Sequence, residues 1–143
     1  MSAKRLPPDN PQEWLNRAYS NLSQAKGGIK LTNVYLEDLC FQAQQAVEKA
    51  LKAVLIVHHV RFPYTHDLAA LLSLIMEIGI AVPEHILGAV RLSDYAVTVR
   101  YPSVAEPITQ QEYEQSIVIA EKVLHWAEKV INNTAAKGIE QDS

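Results

Sequence analysis

Apolar residues recur along most of this chain at spacings of three and four. Prolines and glycines cut the recurrence into five stretches, the pattern of amphipathic helices separated by turns. The first stretch, Trp14, Ala18, Leu22 and Ala25 with Leu15 and Tyr19 beside them, predicts a helix from about Pro11 to Lys26. Asn10 stands where an N-cap belongs, Pro11 suits the first helical position, Glu13 completes a capping box and Gly27-Gly28 ends the helix. A second, longer helix starts near Thr32 as cap and ends near His59. One face carries Leu36, Leu39, Cys40, Ala43, Val47, Ala50, Leu51, Val54 and Leu55, and the other carries Gln42, Gln45, Glu48, Lys49 and Lys52. On that polar face Glu48 and Lys52 stand in the favourable i,i+4 order, worth about 0.2–0.5 kcal/mol. After a loop from Val60 to Tyr64, Thr65 is expected to cap a third helix with Leu68, Leu71, Leu72, Ile75 and Ile78, closed by Gly79. Pro83 opens a fourth, holding Ile86, Leu87 and Val90 and reaching toward Ala96-Val97, which must fail before Pro102. The fifth starts at the capping box Thr109-Gln110-Gln111-Glu112 and continues to about Asn132. Its row Tyr113, Ile117, Ala120, Leu124, Ala127 and Ile131 runs beside a second row, Ile119, Val123, Trp126 and Val130. Two rows fit contact on two sides, within a bundle or also across a homodimer. A single wide core-facing stripe fits equally well.

No Asn-Gly or Asp-Gly hairpin turn occurs and the β-branched residues fall within helical periods, so the expected fold class is all-α, an up-and-down helical bundle of four to five helices. Residues 10–133 form the expected domain, with 1–9 and 134–143 as disordered ends. A length of 143 residues suffices for one core without staples. Thirteen Lys and Arg against sixteen Asp and Glu leave −3, which excludes a broad basic face for duplex DNA. The single Cys40 excludes an internal disulfide and a cysteine-rich zinc site. The longest apolar stretch, Ala69 to Met76, falls far short of the roughly 20 residues of a membrane span, and the N-terminus lacks a secretory pattern. The expected setting is therefore cytoplasmic.

The sequence contains no dinucleotide-binding glycine pattern, no P-loop, no His-Glu-x-x-His and no Gly-x-Ser-x-Gly, so no cofactor is expected. His58, His59, His66, His85 and His125 make no ligand pair at i,i+4, and no metal site is expected. Cys40, on an apolar face, reads as a small core residue. Two places concentrate chemistry. In Arg61-Phe62-Pro63-Tyr64-Thr65-His66-Asp67-Leu68, a cation, two aromatics, a hydroxyl, an imidazole and a carboxylate share eight residues. Helix capping accounts for several of them. In the second place, Ser93-Asp94-Tyr95 is followed by Arg100-Tyr101-Pro102. There a guanidinium and a phenol on a proline-fixed turn either clamp a phosphate and stack on a base, or serve a helix end and pair with Asp94.

The run Phe41-Gln42-Ala43-Gln44-Gln45-Ala46-Val47-Glu48-Lys49-Ala50-Leu51-Lys52-Ala53-Val54-Leu55, then Thr65-His66-Asp67-Leu68 with Leu71-Leu72, then Arg100-Tyr101-Pro102, resembles the HEPN domain. Glu13-Trp14-Leu15 with Ala18, and Ala120-Glu121 with Trp126, extend the resemblance over about Gln12 to Asn132. It implies a helical bundle that is commonly a homodimer. It also implies a prokaryotic operon shared with a small nucleotidyltransferase, often as a toxin–antitoxin pair. Ribonuclease members carry Arg-x4-6-His, with the histidine moving protons and the arginine holding phosphate. Here Arg100 is followed next by His125 and Arg91 has no histidine in reach. Arg61 to His66 matches the spacing but reads as a coincidence of the Thr-His-Asp-Leu motif. The expected function is a nucleotide- or RNA-phosphate-binding module acting with a nucleotidyltransferase-type partner. Arg100, Tyr101, Asp94, Lys49, Glu48 and His66 are its candidate site residues, and Arg100 and His66 its candidate catalytic groups. The alternatives are a metal-independent endoribonuclease toxin and a purely structural interaction domain.

Overall fold

The computed structural model describes residues 5–98 and 107–142. Four long helices follow the apolar periods: α1 (Pro11–Gly27), α2 (Leu36–Val57), α3 (Leu68–Glu77) and, last in the chain, α6 (Gln110–Asp142). Between α3 and α6 lie two single-turn helices, α4 (Glu84–Leu87) and α5 (Tyr95–Thr98), joined by a 3₁₀ segment, Gly88–Asp94. No strand occurs among the described residues. The all-α bundle is as the sequence pattern implies.

Helix α2 is the axis of the bundle, with α1 and α6 along it and α3 and the 3₁₀ segment closing the remaining side. Its alanines at 43, 46, 50 and 53, spaced by three and four, are all fully buried along one face, and Leu51 and Leu55 are fully buried away from that face. A helix buried around most of its circumference lies inside the fold. The expected polar face of Gln42, Gln45, Glu48, Lys49 and Lys52 is therefore corrected in part: Glu48 and Lys52 are buried, 3% and 5% exposed, together with Gln44 at 0%, while Gln42, Gln45 and Lys49 are half-buried. The core is completed by Leu15 and Leu22 from α1, Leu71, Leu72 and Ile75 from α3, and Val123, Leu124 and Ala127 from α6. Trp14, expected on the buried face of α1, lies at its edge, and Leu15 takes the interior place.

Helix ends show where local chemistry held and where it gave way. Thr109 and Glu112 form the expected box: Glu112 N donates to Thr109 Oγ1 at 3.1 Å and Thr109 N to Glu112 Oε1 at 3.4 Å. At α1, Asn10 Oδ1 accepts from Gln12 N at 2.9 Å, but Glu13 does not reach back to the cap. It accepts instead from Leu6 N at 2.9 Å and from Arg17 Nε. Thr32 does not cap α2, because the chain first passes a turn with Asn33 at φ 62° and enters the helix behind Tyr35. Thr65 gives way to Asp67 as cap of α3: Asp67 Oδ1 accepts from Ala69 N at 3.0 Å, while Thr65 Oγ1 accepts from Asp67 N. The expected fourth helix is replaced by the α4–3₁₀–α5 segment. Its buried residues Ile86, Ala89 and Leu92 repeat every three, a period that a 3₁₀ segment places on one face and an α-helix would spread. Finally, α6 continues past Asn132 to Asp142.

Two helices end in the same motif with different residues. After α3, Gly79 at φ 90° donates to Met76 O and Ile80 N to Ile75 O. After α2, His59 at φ 58° takes the left-handed position, with His59 N donating to Ile56 O and Val60 N to Leu55 O. This reversal carries residues 60–67 back over the side of α2.

Candidate functional site

Gln44, Glu48 and Lys52 stand four residues apart, one above the other on α2. Lys52 Nζ donates to Glu48 Oε2 at 3.0 Å, and Gln44 Nε2 donates to Glu48 Oε1 at 3.2 Å. A buried carboxylate is expensive unless its lone pairs are satisfied. Its remaining partner comes from the returning loop: His66 Nδ1 lies 2.8 Å from Glu48 Oε1. Gln44 Nε2 also donates to the backbone oxygen of His66 at 3.2 Å, and Gln45 Nε2 donates to Gln44 Oε1 at 2.7 Å. Glu48 thus joins two cation-capable groups, and the loop is tied to α2 by side chain and backbone together.

The same loop covers Lys52. Its Nζ lies 5.9 Å from the Trp14 ring centroid, 5.5 Å from Phe62 and 5.9 Å from Tyr64, an aromatic enclosure that suits an ammonium lifted out of water. Trp14 and Phe62 meet edge to face at 6.2 Å, and Trp14 Nε1 donates to Pro8 O at 2.7 Å, so α1 and the segment before it close the enclosure. Outside it the surface is open. Tyr64 is 90% exposed, and its ring sits 5.4 Å from that of His66, whose side chain is 32% exposed. An ionised carboxylate only accepts, so the His66 proton on Nδ1 belongs to the Glu48 bond, and Nε2 has no partner among the described residues. From inside outward the site runs carboxylate, imidazole, solvent, with an aromatic face at its side. Such an arrangement can hold a proton, contact an anion and stack on a planar group.

Only part of the expected set assembles here. Glu48 and His66 meet. Lys49 turns to α1 instead, where Nζ donates to Asn21 Oδ1 at 2.7 Å and Asn21 Nδ2 to Gln42 Oε1 at 2.6 Å; burial lowers the Lys49 pKa. Asp94 ends the 3₁₀ segment, next to Ser93, whose Oγ accepts from Leu68 N at 3.0 Å. Arg100 and Tyr101 lie outside the described residues. Arg61 is exposed and makes no ion pair among the described residues, while His66 faces Glu48. Cys40 is fully buried beside Ser116, and burial pushes its thiol pKa up. No group of three His, Cys, Asp or Glu among the described residues could hold a metal ion. None of the helices searched there is long and apolar enough to cross a membrane.

Phe62 and Tyr64 fall in the eight-residue stretch that the sequence marks, whereas Gln44, Lys52 and Trp14 are not among its candidate site residues. The available signal is Gln44, Glu48 and Lys52 at a spacing of four on the face opposite Ala43, Ala46, Ala50 and Ala53, small residues that let neighbouring helices approach α2 closely.

Comparison with known proteins agrees with this architecture. The HEPN domain family matches residues 11–130. The crystal structure of TT1696 from Thermus thermophilus is similar at 32% identity, covering 85% of this chain and 98% of its own, with a TM-score of 0.75. The crystal structure of ST0689, an archaeal HEPN homologue, is similar at 27% identity, covering 90% and 99%, with a TM-score of 0.66. No functionally curated protein matches the sequence.

Proposed function

The chain belongs to the HEPN domain family, and from that premise we propose that it is a binding module for nucleotides or RNA phosphates, with His66 and Tyr64 as the contact. The observation that carries this reading is the imidazole of His66, held at Nδ1 by a buried carboxylate and open at Nε2 beside an exposed aromatic ring. Histidine supplies a polar contact to phosphate, and tyrosine supplies a face on which any base stacks, worth about 1–3 kcal/mol per base. Family membership supports a nucleotidyltransferase-type protein as partner, in a toxin–antitoxin pair. It also supports a homodimer, for which a groove of about 390 Å³ along α6, lined by Val118, Ile119, Glu114 and Arg91, offers a surface.

The test is binding of AMP, GMP and a short single-stranded RNA. The expected result is saturable binding that Tyr64→Ala and His66→Gln each weaken about tenfold, equivalent to about 1.4 kcal/mol, with helical circular dichroism unchanged. Arg100→Ala is a separate arm for the phosphate contact expected from sequence. Absence of any thermal-midpoint shift at millimolar ligand overturns the reading, since a ligand bound only by the native form must stabilise it.

A second reading draws on the same pair. A carboxylate that orients a histidine is the arrangement of a general base, which supports a metal-independent endoribonuclease. RNA cleavage in EDTA that disappears in His66→Gln would favour it over binding alone.

A further inference from the structure

This inference rests on His66 as the phosphate contact and concerns how the contact is made. The Nδ1 hydrogen is committed to Glu48 Oε1 at 2.8 Å, whether the ring is neutral or charged. In the neutral ring the outward nitrogen, Nε2, is then a bare lone pair. A phosphodiester oxygen is also an acceptor, so the two cannot form a hydrogen bond. A donor at Nε2 requires a second proton on the ring. The charge balance points the same way: Glu48 and Lys52 cancel, so the cluster is neutral with neutral His66 and carries +1 only with the imidazolium.

Neither lysine of α2 beside the cluster can replace that proton. The Lys52 ammonium is 5% exposed, bonded to Glu48 and enclosed by three rings. Lys49 is engaged with Asn21 toward α1. The other titratable groups around the loop are Tyr64 and Arg61 within it, Asp67 at the start of α3, Asp94 on the 3₁₀ segment and Glu13 on α1. Asp67 accepts from Ala69 N, and Glu13 is occupied by Leu6 N and Arg17.

We propose that capture of a phosphodiester at His66 is coupled to uptake of one proton from solvent by Nε2, which makes this a proton-gated anion site. Free protein with neutral His66, one proton and the anionic ligand combine to give the imidazolium–phosphodiester complex. By linkage, affinity falls about tenfold for each unit of pH rise over the range in which His66 of the free protein is neutral.

The test uses the dinucleotide ApA, whose single phosphodiester keeps its charge across the neutral range, so that the ligand cannot supply the proton. Calorimetric titration of the full chain in two buffers of different ionisation heat gives the number of protons taken up. The expected number rises toward one as pH is raised. In His66→Gln, whose amide donates without protonation, it falls to zero while weaker binding persists. Nitrogen NMR of the neutral wild-type ring is expected to show hydrogen on Nδ1 and a lone pair on Nε2. Binding without proton uptake, or a neutral ring with hydrogen on Nε2, overturns the proton coupling and leaves the binding function standing. If ApA fails to bind at millimolar concentration at any pH, the binding function itself falls and the coupling with it.

Discussion

Glu13 with Arg17, and Glu48 with Lys52, are the same pattern in sequence, an acid followed four residues later by a cation on one helix. The structure puts them in different physical settings. The Arg17 side chain is half exposed, with its guanidinium at the surface of α1. Both members of the α2 pair are buried, and the carboxylate is shared with His66 and Gln44. In the first pair Glu13 is itself buried, with 8% of its side chain exposed, so water competes only for Arg17, and the exposed guanidinium makes the pair worth less than one buried on both sides. In the interior each ion has lost its hydration, so every remaining partner matters. The difference lies in what packs on the helix: α1 meets the bundle on one side, whereas α2 is surrounded by α1, α3, α6 and the returning loop.

The largest expected effect comes from breaking the interior pair on one side only. Glu48→Ala leaves Lys52 and His66 without their shared acceptor and is expected to destabilise the fold by about 3–5 kcal/mol in urea titration. Replacing both ions by apolar groups of similar volume, Glu48→Leu with Lys52→Met, is expected to recover most of that loss. If the single and double variants lose equally, burial is not what distinguishes this pair from Glu13 and Arg17.

This contrast also explains how far the sequence could be read. Apolar periods located the long helices, because a core-facing stripe is a local pattern. They also located the Thr109–Glu112 box, which needs only four consecutive residues. Cap choice at α2 and α3 was less legible, since several adjacent residues could serve and the loop path selects among them. The site was legible at two points, Glu48 and His66, but their contact depends on the left-handed turn at His59, where a histidine occupies a position that glycine usually marks. Lys52 read as a solvated helix residue because nothing within one turn of it records that Trp14 and Phe62, from two other segments, will cover it.

A smaller effect separates the pairs by pH. The Leu6 N–H, followed by Arg17, holds the Glu13 carboxyl below its ordinary pKa of 4.5. A carboxyl whose folded value is lowered contributes stability above its unfolded value and loses it as pH falls through the folded one. Wild type is therefore expected to exceed Glu13→Gln in urea midpoint at pH 7, with the gap narrowing as the pH falls below about 4.5. A gap that does not narrow at all below that pH would mean that Glu13 acts through packing rather than through its charge.

The smallest effect is expected where two helices meet at the surface. Lys26 Nζ lies 3.1 Å from Glu121 Oε1, joining the end of α1 to α6, with about half of each side chain in water. The two ions keep most of their hydration whether paired or apart, and holding two long side chains in one geometry costs entropy. A double-mutant cycle with Lys26→Ala and Glu121→Ala is therefore expected to give a coupling of about 0.2–1 kcal/mol at low salt. Near 1 M salt the Debye length is about 3 Å, comparable to the pair's own separation, and the coupling should fall close to zero. A cycle through Glu48 and Lys52 under the same salt series should barely move, because no counterion reaches a carboxylate enclosed by Lys52, Gln44 and His66. If salt weakens both couplings alike, the interior cluster is hydrated, and the distinction between the two kinds of pair fails at its physical root.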